Sequence, residues 1–161
     1  MKFSRFNLCL IFFLSFVTST FLNACNTTSY IVTVTVSEPD LLPILQSSFE
    51  ATPGIWPDFE IDSLVIQPEG IHLEGIYEPS GEQPVPGSIE LMVSAAKGEL
   101  LVEVLAVQIP GIEPDESDLQ SLASNIADAI LESISGDQPI KQIDAVRLLD
   151  NAMVITLEYL R

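Results

Sequence analysis

The sequence predicts an α+β fold: a curved antiparallel sheet of about seven strands with two helices, in the order β-α-β-β-β-β-α-β-β. Three observations predict it. Short β-branched runs are joined by two-residue turns, which makes neighbouring strands antiparallel. Two segments switch to a helical period, one after the first strand and one after the fifth. No internal repeat or change of composition divides residues 30–161, so they read as a single domain.

Tyr30 to Val36 is β-branched, with Val32, Val34 and Val36 on one face and Ile31, Thr33 and Thr35 on the other. Ser37 then caps a helix, with Pro39 in its first turn and Asp40 in capping-box position. Leu41, Leu42, Ile44, Leu45 and Phe49 form its apolar side, and the turn residues from Thr52 to Pro57 end it. Glu60 to Gln67 and Gly70 to Tyr77 form a hairpin about Pro68-Glu69. A proline-rich loop from Glu78 to Gly87 precedes a second hairpin, Ser88 to Ala95 and Glu99 to Ile109 about Lys97-Gly98. Leu100 to Val107 is apolar on both faces except at Glu103, which places it in the middle of a sheet or along a cavity. Its clean face is Leu100, Val102, Val104 and Ala106. From Asp115 to Ser135 the period is helical again. Leu119, Leu122, Ile126, Ile130 and Ile134 share one face with Ala123 and Ala127 beside it, and Gly136 is the stop. Ile140 to Leu149 and Ala152 to Leu160 close the chain as a third hairpin about Asp150-Asn151.

The N-terminus carries an address. Lys2 and Arg5 precede an apolar run from Phe6 to Val17, shorter than the ~20 residues a membrane span requires. Basic start, apolar middle and small-residue finish make residues 1–24 a secretory signal. Leu22-Asn23-Ala24-Cys25 resembles a bacterial lipobox, which implies that Cys25 is diacylated and becomes the mature N-terminus. Cys9 leaves with the signal, so no intrachain disulfide is expected. Two acyl chains suffice for stable anchoring, and residues 25–29 form a lipidated tether that keeps the domain close to the extracytoplasmic face of the cell membrane. Of the chain's 23 acidic and 6 basic residues, every acid but only four bases follow Cys25. Such a surface excludes nucleic acid as a partner, because a phosphate backbone rewards the opposite charge.

Catalytic chemistry finds little support. His72 is the one histidine and alternates with Ile71 and Leu73, which turns it to the polar side with Glu74. No Gly-x-Ser-x-Gly elbow or phosphate-cradling glycine loop is present. Glu60 and Asp62 share a strand face, Glu103 is either a buried carboxylate or one at the wet rim of its own face, and aromatic platforms for a sugar cleft are scarce. Glu113, Asp115, Glu116 and Asp118 lack the calcium-loop spacing, and the helix dipole accounts for them. The expectation is a protein that is not an enzyme and holds no metal or cofactor. Apolar surface remains: Leu100, Val102 and Val104 on the strand, with Leu122, Ile126 and Ile130 on the helix, either line a groove or fill a core. Trp56, in Ile55-Trp56-Pro57-Asp58-Phe59, either rims that cavity, touches the membrane interface, or plugs the core.

The strand-to-helix passage Val34-Thr35-Val36-Ser37-Glu38-Pro39-Asp40-Leu41 resembles the opening of LmeA-like phospholipid-binding proteins of the bacterial envelope, and the later element order is similar. The departures are Pro39, Pro43 and the proline-rich loop. The resemblance implies an aliphatic groove for acyl chains and transfers no individual binding residue. The sequence therefore points to a membrane-anchored lipoprotein that binds lipid or another apolar ligand. The alternative is a non-catalytic envelope module with a solid core and a protein partner.

Overall fold

The computed structural model describes residues 29–79, 81, 83–135 and 139–160. Its elements are β1 (Ser29–Ser37), α1 (Glu38–Ala51), a 3-10 turn (Trp56–Asp58), β2 (Phe59–Gln67), β3 (Gly70–Tyr77), β4 (Val85–Ala96), β5 (Glu99–Gln108), α2 (Glu116–Ser135), β6 (Ile140–Leu149) and β7 (Ala152–Leu160). The fold is α+β with two helices and seven antiparallel strands in the expected order. The strands divide into a three-stranded sheet, β1-β7-β6, and a four-stranded sheet, β2-β3-β4-β5, rather than one continuous sheet. The turn before β5 is joined to β6 by a backbone bond: Ile143 N–H donates to Gly98 O at 2.8 Å. The inner faces of both sheets and the apolar sides of both helices enclose one core. The helix stop expected at Gly136 lies outside the described residues.

In the three-stranded sheet, β1 pairs with β7 over nine consecutive positions without a shift, which sets Val32, Val34 and Val36 against Leu157, Ile155 and Met153. Ser29, expected as the last tether residue, is instead the first residue of β1, paired with Leu160. On the other side of β7, Ile143, Val146 and Leu148 meet the same three residues. Their uneven spacing is absorbed by two β-bulges, where Lys141 and Asp144 are the extra residues.

The four-stranded sheet buries Leu64, Ile66, Ile71, Leu73, Ile89 and Leu91 on its inner face. At one end the Phe59 ring lies across two glycines. A Cβ at Gly75 would stand 2.9 Å from that ring and 2.2 Å from Glu60 O, and one at Gly87 would stand 3.2 Å from the ring. The sheet closes over an aromatic side chain because two facing positions lack one. β5 departs from the first of the two places expected for it, the middle of a sheet. It is the edge strand rather than a central one, so its outer-face residues Leu101 and Leu105 stand 46% and 49% exposed, with Glu103 exposed between them. A bulge at Leu105 also switches its faces: Leu91 is opposite Val104 but Glu90 is opposite Ala106. Ala106 therefore leaves the clean face, and Val107, opposite Ile89, takes its place. β4 begins inside the expected proline loop, because Pro86 pairs only with Ile76 of β3 and needs no N–H toward β5.

α1 buries Leu41, Leu45 and Phe49 completely. Ser37 does not close a capping box: its hydroxyl donates to the Asp40 carboxylate at 2.5 Å. The first turn is fixed instead by Glu38, whose Oε1 accepts from Ile66 N–H at 2.8 Å, while Asn151 N–H donates to Ile66 O at 3.0 Å. α2 is capped by Asp115, whose Oδ1 accepts from Asp118 N–H at 2.9 Å. The helices are tied by Asn125, which donates to Thr52 Oγ1 at 2.8 Å, while that buried hydroxyl donates to Ser48 O.

Candidate functional site

α2 lies against both α1 and β5, and its core side is Leu122, Ile126 and Ile130, none of which retains accessible surface. One position further along the helix, Ala123, Ala127 and Leu131 form a neighbouring stripe at the same four-residue spacing. The two alanines are too short to fill the space toward β6. A groove of about 720 Å³ results, bounded by this stripe, by Leu100, Leu101 and Val102 of β5, and by Ile140 and Ile143 of β6. The Gly98–Ile143 backbone bond holds the turn before β5 to β6 at the groove. Its volume falls within the ~300–1,000 Å³ typical of small-molecule sites.

The rim is polar. Gln120, Ser124 and Asp128 form a third helical stripe, facing Glu99, Lys141 and Gln142 across the opening. Lys141 Nζ donates to Glu158 Oε1 at 2.8 Å, and Gln142 Nε2 donates to Asp144 Oδ1 at 2.8 Å. The bond from Lys141, then one from the Ser29 hydroxyl, holds the Glu158 carboxyl below its ordinary range. With its one ammonium so occupied, the rim presents the carboxylates of Glu99 and Asp128 to a ligand.

The structure distributes the sequence-derived site residues unevenly. Leu100 and Val102 line the groove; Val104 lies on the same strand face beyond it, packed half-buried on the core. Leu122, Ile126 and Ile130 are core residues, and the helix reaches the groove through the adjacent stripe. Trp56 is also core, fully buried and edge-on to Phe49 with ring centroids 5.9 Å apart. The groove residues that the sequence reading missed are the small or polar Ala123, Ala127, Ser124 and Asp128 on the helix, and the aliphatic Leu101, Leu131, Ile140 and Ile143. A sequence signal existed in the alanine pair spaced by four, beside the aliphatic stripe. Cys25 and residues 26–28 of the tether lie outside the described residues.

Elsewhere, His72 stands on the outer face of the four-stranded sheet, 3.7 Å from Glu74 and 4.0 Å from Glu90. Among the described residues no three His, Cys, Asp or Glu side chains converge as metal ligands. No helix among them is long and apolar enough to cross a membrane. The chain matches no protein-family model, and no curated protein matches it in sequence.

Proposed function

We propose that this protein is a lipoprotein of the bacterial envelope, anchored through Cys25 at the extracytoplasmic face of the membrane, and that its groove receives an elongated apolar ligand such as a lipid acyl chain. The observation that carries this reading is the position of the groove relative to the start of the domain. Tyr30 of β1, Tyr159 of β7 and Ile140 of β6 stand in one register, so the point where the chain enters β1 lies two strand spacings, ~10 Å, from the groove wall. A tether of a few residues reaches at most ~14 Å. An anchor at Cys25 therefore sets the groove near the lipid surface, where its aliphatic floor meets its ligand. The likeness to LmeA-like proteins in the strand-to-helix passage agrees with this reading.

The filled interior favours a second reading, an interaction module with no stored ligand, since Trp56, Leu122, Ile126 and Ile130 leave no internal cavity among them. One experiment separates the two. The purified protein is extracted and analysed for bound lipid by mass spectrometry, beside an Ala127→Trp variant that fills the groove. Lipid on the parent and loss of most of it in the variant supports the groove as the site. A parent free of lipid that also fails to take lipid from vesicles overturns it. Fatty-acid labelling that disappears with Cys25→Ala tests the anchor separately.

A further inference from the structure

The two sheets leave four edge strands: β1 and β6 on one, β2 and β5 on the other. An edge strand offers unpaired N–H and C=O groups to any passing chain, and folded proteins usually blunt such edges with bulges, charges or covering side chains. Three of the four are blunted here. The extra residues of the bulges all fall on edge strands: Asp62 on β2, Leu105 on β5, and Lys141 and Asp144 on β6. β2 is covered as well, since Gln46 Oε1 accepts from Ile61 N–H at 2.9 Å and Glu38 takes Ile66 N–H. β5 carries Glu99 and Glu103, and β6 carries Lys141, Asp144 and Arg147.

β1 has none of these devices. Its register with β7 runs through nine positions without a bulge, and its sequence, Ser-Tyr-Ile-Val-Thr-Val-Thr-Val-Ser, contains no charge. Among the described residues, no hydrogen bond reaches the outer edge between Ile31 and Val36. Ile31, 66% exposed, is the most exposed large hydrophobic among the described residues. In a chain with 23 acidic residues, the wholly neutral stretch from Ile31 to Val36 on an open edge is a conspicuous omission.

We propose that β1 pairs with β1 of a second copy of this chain, antiparallel about a two-fold axis at Thr33, joining the two three-stranded sheets into one of six strands. The sequence is self-complementary in that register: Thr33 faces Thr33, Val32 faces Val34, and Ile31 faces Thr35, so the core-side residues of one copy meet those of the other. Self-pairing at β5 or β6 would bring charged bulges and carboxylates together, whereas β1 opposes only neutral side chains. The net charge of −17 repels a second copy at long range, but that repulsion is screened over about 8 Å at physiological salt, and the contact itself contains no charge. This inference stands apart from the groove and does not require Cys25 to be lipidated.

The test is the association state of the full-length protein by sedimentation velocity in density-matched detergent, for the parent and for Thr33→Lys and Thr35→Lys. Both positions are exposed, and circular dichroism checks that each variant folds. The parent is expected to be a dimer at micromolar concentration. Each lysine should weaken it by at least about tenfold, since Thr33→Lys sets two ammonium groups directly opposite one another. The direction is diagnostic: a lysine lowers the net negative charge, so association through general surface contact would tighten. A monomer throughout, a dimer indifferent to both lysines, or a different protein strand found on β1 by cross-linking would each overturn the proposal.

Discussion

At the scale of single residues, two polar or missing side chains fix the geometry more than their composition suggests. Glu38 is an acid in a helix first turn, which the macrodipole alone would justify, yet its carboxylate caps the exposed edge of β2 at Ile66. Glu38→Ala leaves that amide without its partner in a partly buried site and should cost about 1–3 kcal/mol by urea denaturation. Glu38→Gln keeps an acceptor oxygen and should recover most of the loss. Equal losses from both would show that charge, not the acceptor, matters. Gly75 is the second case. Its missing Cβ is the space that the Phe59 ring and the Glu60 carbonyl occupy, so Gly75→Ala forces backbone and ring apart. A cost of about 3 kcal/mol is expected from such overpacking. Gly75→Ala combined with Phe59→Leu should be less destabilising than the sum of the two singles, because the smaller side chain vacates part of the collision.

At the scale of elements, the sequence was legible where period and turn chemistry agreed. The third hairpin matches expectation at both strands, and the left-handed residues that such turns use are present as Asn151 (φ 67°) there and as Lys97 (φ 55°) and Gly98 (φ 83°) in the second hairpin. Bulges were not legible. One added residue reverses every later side chain, and nothing in Leu100 to Val107 announces that Leu105 is the added one. The groove stayed hidden for a related reason. Hydrophobic periodicity identifies what a helix buries, here Leu122, Ile126 and Ile130, while a groove forms where short residues fail to fill space. Edge position was misread because a doubly apolar strand looks central, and the open outer face of β5 has no covering layer to account for Leu101 and Leu105. The pairing of β6 with β7 carries its own prediction. Glu158 is held below the ordinary carboxylate range by Lys141 and by Ser29, so it binds protons less readily folded than unfolded. Its contribution is therefore present above the unfolded value of ~4.3 and is lost as pH falls through the lower folded value. The stability difference between the parent and Glu158→Gln, read from denaturant midpoints, should be constant near neutrality and shrink below about pH 4. A difference that grew on acidification would contradict the assignment.

At the scale of the whole molecule, charge and packing oppose each other. The net charge is −17, and among the described residues Lys141–Glu158 is the one lysine or arginine ion pair. Added salt therefore has much repulsion to screen and almost no attraction to remove. The core is insensitive to screening, because burying each large aliphatic or aromatic side chain is worth ~1.5–3 kcal/mol whatever the ionic strength. Folding compresses the acidic residues that the unfolded chain spreads apart, so the native state bears more of the repulsion. Raising sodium chloride from about 20 mM to about 300 mM shortens the Debye length from roughly 20 Å to below 10 Å. The melting temperature should rise by roughly 4 °C, the shift expected for about 1 kcal/mol in a domain of this size. Potassium chloride should match sodium chloride, because the effect is screening rather than binding. A melting temperature that fell with salt would mean that attractive charge pairs dominate. A rise confined to calcium would instead mean that the acidic residues form a metal site. The same repulsion governs the proposed dimer. Salt should tighten it without altering which lysine variants disrupt it, since screening acts between the acidic bodies and not across the neutral β1 edge.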